Sequence, residues 1–315
     1  MIQLIPANTR FDFVGFRKKA LILSLILTSI SVGLMVFRGP KMGIDFAGGS
    51  LVQVRFATPT HADKLREALG AAGFEAIDIQ DMGHDQTDFL IRVPMAADDT
   101  ESRTKKATST LKDAFGNDQV EVLRVESVGP RVGEALRGKA IWAVLFSTLM
   151  MGLYIWARFE WRYGAGAVIA LLHDVIMTIG FLIAFGYEFD LTIVAALLTV
   201  VGFSVNDTVI VSDRIRENRR KDRRTSLGDL INVSVNETLS RTILTSGTAI
   251  LVTLALYLLG GPVIHGFAFA LLVGFTVGTY SSIFIAAPVV LYFERSTASA
   301  PEARGRQSAP AARRT

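Results

Sequence analysis

The chain has 315 residues, 50% of them hydrophobic, with 33 Lys and Arg against 29 Asp and Glu and no cysteine. A mean hydropathy of +0.39 is too apolar for a soluble domain of this length, and the missing cysteines exclude disulfides and thiolate metal sites. A pI of 9.4 invites a nucleic-acid reading, but the placement of the charges argues against one.

Residues 1–19 read as a cytoplasmic N-terminus ending in the basic run Arg17-Lys18-Lys19. The apolar stretch 20–37 follows as a first span, since about 20 apolar residues at about 1.5 Å each cross a hydrocarbon core of about 30 Å. Arg38-Gly39-Pro40-Lys41 comes directly after it with no small-residue cleavage site, so it is expected to stay as an anchor. Further spans are expected over 139–157, 163–187, 191–212, 242–264 and 266–293. Apart from Lys139 at an edge, the only Asp, Glu, Lys or Arg inside these segments are Asp174 and Asp207. Residues 213–241 form a basic loop, and the Ala-, Pro-, Ser- and Arg-rich end, 294–315, reads as a disordered cytoplasmic tail.

Arg158 and Arg162, and Arg214, Arg216, Arg219, Arg220, Lys221, Arg223 and Arg224, fall on one set of connections, while the loops at Glu188-Phe189-Asp190 and His265 carry no Lys or Arg. The positive-inside rule places both termini and the basic loop in the cytoplasm and leaves 38–138 outside it. A topology-setting, solvated face thus explains the charge better than a nucleic-acid partner.

The 38–138 stretch reads as a small α+β domain. Val52, Val54 and Phe56 alternate with polar residues, Leu65, Leu69 and Ala72 recur at helical spacing, and Ile77 with Ile79 and Phe89 with Ile91 and Val93 give two strands around Gly83-His84-Asp85. Leu111, Ala114 and Phe115 mark a second helix, and Val120 and Val122 a last strand. The order β-α-β-β-α-β is that of a ferredoxin-like fold. His61 and His84 read as surface histidines, and no nucleophile, metal or phosphate-loop pattern is present, so no enzyme activity and no cofactor are expected. Further on, Ser226 with Asp229 is a capping pattern, and the stripe Leu227, Leu230, Ile231 and Val235 suits a helix at the membrane surface.

Asp207 stands inside a span, and a carboxylate in hydrocarbon costs roughly 2.5–3.5 kcal/mol, so its presence points to holding and releasing a proton or cation. Ser204 and Asn206 give it polar company, and Gly202 would let a neighbouring helix approach. The alternative is a structural or wet carboxylate near the helix end. Arg241 is the obvious basic partner, or else an interfacial anchor. Thr242, Thr245, Ser246 and Thr248 make the start of the fifth span polar, lining a path or bonding across helices. His173-Asp174 is the other deep pair, a relay member or a buried structural pair. Asp213 is read as a partner for loop arginines. Gly274 and Gly278 carry a small-xxx-small spacing suited to tight helix packing.

Three stretches carry a resemblance: Gly43-Ile44-Asp45-Phe46-Ala47-Gly48-Gly49, Val128-Gly129-Pro130-Arg131-Val132-Gly133, and Ser204 through Asn218. With six spans and a large first external loop, the chain over roughly 12–293 resembles the SecF branch of the SecD/SecF family of protein-export subunits, in the RND superfamily of proton-driven transporters. The resemblance implies a bacterial inner-membrane protein that pairs with SecD, associates with the SecYEG channel and uses proton flow to draw a translocating preprotein outward late in export. It places the family's proton-pathway aspartate on Asp207 and its arginine on Arg241, and His173-Asp174 fits the family pattern. On this reading protonation of Asp207 switches helix packing and the external domain moves at Gly129-Pro130, with Gly43, Gly48 and Gly49 permitting bends or merely forming tight turns. The alternatives are a proton-driven exporter of a lipid or small hydrophobic molecule, and a non-transporting assembly factor.

Overall fold

The computed structural model describes residues 9–74, 77–82, 85–94 and 100–298. The first helix, α1 (Phe13–Phe37), begins ahead of the apolar run because Asp12 caps it, accepting from the Gly15 N–H. Asn232 in turn donates to Asp12 (2.7 Å), which ties the start of α1 to a distant helix. A two-residue strand, β1 (Lys41–Met42), and a one-turn helix, α2 (Ile44–Ala47), lead into the folded domain.

That domain runs β2 (Gly49–Phe56), α3 (Ala62–Ala71), β3 (Asp78–Asp81), β4 (Asp88–Pro94), α4 (Thr100–Phe115) and β5 (Val120–Val128). The sheet order is β3-β4-β2-β5 with every neighbouring pair antiparallel. The period of two in β2 buries Val52, Val54 and Phe56 on one face. There they meet Leu65 and Leu69 of α3, Ala107 and Leu111 of α4, and Phe89, Ile91 and Val93 of β4. Each such large side chain contributes roughly 1.5–3 kcal/mol when fully buried. The opposite face presents Gln53, Arg92, Arg124 and Glu126 to a cavity of about 680 Å³ between the sheet and the rim of the helical bundle. His61 is exposed at the start of α3, and Gly83 and His84 lie outside the described residues.

Five long helical segments follow: α5 (Pro130–Arg158), α6 (Trp161–Phe185), α7 (Leu191–Lys221), α8 (Leu227–Leu259) and α9 (Pro262–Ser281). A short strand, β6 (Glu188–Phe189), pairs in parallel with β1 between α6 and α7. A π-helical turn, Ser282–Ala286, then joins α9 to α10 (Ala287–Ala298) as one long last segment. Among the described residues, six helices are long and apolar enough to cross a bilayer. The windows of α6, α7 and α9 are the buried centre of the bundle, and α1, α5 and α8 surround them.

Several boundaries differ from the expected ones. The region 213–241 is not a loop: α7 continues to Lys221 and α8 starts at Leu227, leaving only a short connection. Arg214, Glu217 and Lys221 sustain the extension of α7 through i,i+3 and i,i+4 pairs at 2.5 and 2.6 Å. The Ser226–Asp229 pattern caps α8, but the stripe behind it packs into the bundle against α7. Leu230, Ile231, Val235 and Leu239 are buried, and the last three join a core with Val211 and Ile215 of α7. The fifth span stops at Leu259 rather than 264, because Gly261 takes φ 73° and Pro262 opens α9. At the end of the chain, 294–298 continue α10, and 299–315 lie outside the described residues.

Candidate functional site

The site is built where α6, α7, α8 and α9 meet. Asp174 on α6 is 1% exposed and Asp207 on α7 is 0% exposed, the deepest carboxylates of the bundle. Asp174 is held by three donors. Its Oδ2 accepts from Ser204 Oγ on α7 (2.6 Å) and Ser281 Oγ on α9 (2.8 Å), and its Oδ1 lies 3.0 Å from His173 Nδ1. The Ser204–Asp174 pair meets beside Gly278 of α9, where a Cβ would lie 3.1 Å from Ser204 Cβ and 3.6 Å from Asp174 Oδ2, and a Cβ on Gly274 would clash with Val200 Cγ2 of α7. The expected tight packing at Gly274 and Gly278 is therefore the α7–α9 contact. Ser281 precedes the π-helical turn, a departure from the i→i+4 ladder that often marks functional sites.

His173 rests beside the ring of Tyr280, with centroids 6.5 Å apart, and its Nε2 has no partner among the described residues. Tyr280 donates its hydroxyl proton to the Ala20 carbonyl (2.8 Å) and accepts from Ser24 Oγ (3.0 Å), which carries the polar chain out to α1.

Asp207 sits one helical turn beyond Ser204, about 4.5 Å along α7. Its Oδ2 accepts from Ser246 Oγ on α8 (3.0 Å), and its Oδ1 has no hydrogen-bond partner among the described residues. Thr242 Oγ1, one turn before Ser246 on the same face of α8, is also buried without a described partner. Arg241 is exposed and makes no hydrogen bond or ion pair with the described residues, although its charge acts on Asp207 through space. A carboxylate with one donor and one open oxygen can take a proton, whereas Asp174 has both oxygens engaged. The polar chain runs His173, Asp174, Ser204, then a turn of α7 to Asp207 and Ser246.

Two expected members fall outside it. Asn206 is exposed, since adjacent residues on a helix face different ways. Gly202 is exposed too, with nothing within 4 Å of where a Cβ would stand. Asp213 forms no ion pair among the described residues; Arg214 pairs instead with Glu217 and Glu237. Ser281 and Tyr280 are members that no sequence pattern above marks; two adjacent serines in an apolar segment beside Gly278 are the signal they leave. Among the described residues no group of three or more His, Asp or Glu is placed to hold a metal.

The glycine stretch after α1 is a junction, not a loose tether. The Gly43 N–H donates to the Phe189 carbonyl (2.7 Å), and a Cβ there would meet that oxygen at 2.9 Å. Its backbone, at φ −68°, is ordinary; Gly48 and Gly49, at φ 77° and 133°, are the positions that need glycine. Asp45 Oδ2 accepts from the Leu191 N–H (2.9 Å), satisfying an orphan donor at the start of α7 beside the N-cap Asp190. Gly129 is the N-cap of α5 with Pro130 at its first turn, and a Cβ on Gly133 would lie 3.1–3.2 Å from the Phe46 and Asp45 carbonyl oxygens. Arg92 of β4 pairs with Glu188, and burial there pushes the Glu188 carboxyl above the usual carboxylate range despite the pull of Arg92.

A family model described as the C-terminal part of the protein export membrane proteins SecD/SecF matches residues 107–296, and one for the SecD/SecF GG motif matches 33–60. The protein translocase subunit SecF of Desulfurispirillum indicum is 45% identical over 293 residues, covering 90% of this chain and 93% of its own. SecF of Vibrio alginolyticus is 43% identical with 92% of each covered, and that of Escherichia coli O157:H7 is 42% identical with 92% and 90% covered. Among solved structures, SecDF of Thermus thermophilus, described as a translocon-associated membrane protein, superposes with a TM-score of 0.81 at 36% identity over 93% of this chain. A super-membrane-facing form of SecDF gives 0.70 over 95%. This chain spans 40% of the length of each of those SecDF chains. By these matches the chain belongs to the SecD/SecF family of protein-export membrane proteins.

Proposed function

We propose that this chain works in Sec protein export beside SecD, coupling proton flow through Asp207 to late translocation of preproteins through the SecYEG channel. One observation carries the coupling: a fully buried membrane carboxylate with one hydroxyl donor and one open oxygen, next to a helix that bears Arg241. Asp207 takes the proton, and Ser246, Thr242 and Arg241 on α8 adjust to its charge. Asp174, with His173, anchors α6, α7 and α9 around it. One charge crossing about 100 mV yields about 2.3 kcal/mol, roughly 50-fold in an equilibrium constant. No bond-making chemistry and no cofactor are assigned, the proton gradient being the energy source.

In this reading the sheet order β3-β4-β2-β5, with both helices on one face, is a ferredoxin-like domain standing outside the cytoplasm of a bacterial inner membrane, and both termini are cytoplasmic. The SecF relatives and the longer SecDF chains support SecD as the partner. SecYEG and the preprotein follow from the same export role.

The test is release of a secretory precursor from membrane vesicles under an imposed proton gradient, with SecD present. Wild type and Asp207→Asn are compared at equal protein levels. The variant is expected to assemble with SecD and lose the response to the gradient. A response equal to wild type would make Asp207 structural and defeat the proposal.

A further inference from the structure

At the end of the bundle away from the folded domain, the α5–α6 turn and the α7–α8 connection enclose a basin of about 450 Å³. Arg216, Arg219, Arg220 and Arg223 line it against two carboxylates, Glu160 and Asp222. Asp222 does little to balance those cations, because both its oxygens are engaged locally. Oδ1 accepts from the backbone N–H groups of Arg224 (2.8 Å) and Thr225 (3.2 Å), and Oδ2 accepts from Thr225 Oγ1 (2.6 Å). The nearby acids Glu217 and Glu237 are taken up by Arg214 and Lys221. Arg216 is oriented by donating to the Arg158 carbonyl (3.4 Å) and by lying over the Phe159 ring at 5.8 Å. Arg220 and Arg223 form no hydrogen bond or ion pair with the described residues.

The surroundings place this basin at a membrane–water interface. Trp156 and Trp161 are 55% and 46% exposed on either side of the α5–α6 turn, as side chains of an interfacial aromatic belt are. Leu227 and Leu230 give the basin an apolar wall. Guanidinium forks match phosphate oxygens, and four of them around one hollow with an apolar side are suited to a charged headgroup whose chains remain in the bilayer.

We propose that this basin binds the phosphate of an anionic glycerophospholipid in the leaflet on that side, the cytoplasmic one in the orientation given above. The lipid would fasten the α7–α8 connection to the α5–α6 turn. The site is distinct from the general attraction of basic loops to an anionic surface, because it needs these arginines and not merely their number.

The purified full-length chain in detergent would be titrated with dioctanoyl phosphatidylglycerol, dioctanoyl phosphatidylcholine and inorganic phosphate, with bound lipid read by native mass spectrometry. Phosphatidylglycerol is expected to bind about tenfold more tightly than phosphatidylcholine, and Arg220→Gln with Arg223→Gln to remove most of that preference. Arg17→Gln with Lys18→Gln removes the same charge elsewhere on that side and should leave it. Equal losses in the two double variants would mean diffuse charge and overturn the site. Competition by inorganic phosphate at the same concentrations as the lipid would make it a free-anion site and overturn the lipid assignment, and equal binding of the two lipids would do the same. Arg220→Lys with Arg223→Lys preserves charge and topology: weaker binding supports the forked contact, and unchanged binding overturns it.

Discussion

Alanine at Asp174 and, separately, at Asp207 should separate two kinds of buried carboxylate. Removing Asp174 takes the acceptor from three donors, but Ser281 Oγ has the Gly278 carbonyl (3.1 Å) as an alternative acceptor, so Ser204 and His173 bear most of the loss. A stranded buried donor costs about 1–3 kcal/mol, and a hydrogen bond to a charged group is worth about 1.5–3, which sets the total near 3–5 kcal/mol. Removing Asp207 strands only Ser246 and also deletes an oxygen that had no described partner, so about 1–2 kcal/mol is expected. At about 2 °C per kcal/mol for a chain of this size, the thermal midpoint should fall by roughly 6–10 °C in the first case and 2–4 °C in the second. Tryptophan fluorescence of the purified full-length chain during heating reads both. The vesicle assay should rank the sites the other way, with Asp207→Asn losing the gradient response at nearly native stability. A midpoint lowered as far by Asp207→Ala as by Asp174→Ala would refute the division of labour.

Two further changes test the junction. Asp45→Ala removes the side-chain acceptor for the Leu191 N–H while Asp190 remains as the N-cap; it should cost about 1 kcal/mol in stability yet cut the gradient response well beyond that, and an unaffected response would disconnect this contact from coupling. Glu188 is raised on folding, so its contribution to stability is complete below its unfolded pKa and disappears as pH rises through the folded one. Glu188→Gln leaves Arg92 with Asp78 (3.3 Å) and should raise the midpoint near about pH 8 while changing little near about pH 4, whereas a larger effect in acid would contradict the burial argument.

Much of the architecture could be read from pattern. Val52, Val54 and Phe56, or Leu65 and Leu69, signal their faces because a half-buried strand and an amphipathic helix each impose one period on the chain. The spans were legible because a bilayer demands about 20 apolar residues. Helix ends were not, because polarity marks where the membrane stops and not where the backbone stops being helical. Residues 213–221 and 227–241 are charged and polar, and yet helical, sustained by pairs such as Glu217 with Lys221 within α7 and joined by Arg214 with Glu237. The site divided in the same way. Asp174, Asp207 and Ser246 stand out because polar atoms in an apolar run are costly. Which of them touch depended on helix rotation: Ser204 turned toward α6, Asn206 turned outward, and Ser281 came in from a helix whose register is altered by a π turn.

That geometry changes where motion can arise. A proton on Asp207 alters the arrangement of helices only by favouring one set of contacts over another. α7 is the element through which such a change would travel, since it bonds to α6 through Ser204, to α8 through Asp207 and to the junction through Leu191. From Asp207 to Leu191 the helix spans about 24 Å. At its far end Gly43 is bonded to Phe189, Asp45 to Leu191, and Gly133 abuts the carbonyls of α2, so these residues make a clamp. A bend at Gly43 would have to break it, whereas Gly129-Pro130 lies on the domain side of the Gly133 contact and can bend without breaking it. Gly48 and Gly49, already at positive φ just beyond the clamp, are the place where the chain into the domain can turn while the clamp stays closed. Movement of α7 would then carry the junction with it, and the domain, joined to it at Gly48-Gly49 and at Val128-Gly129-Pro130, would swing on both connections together.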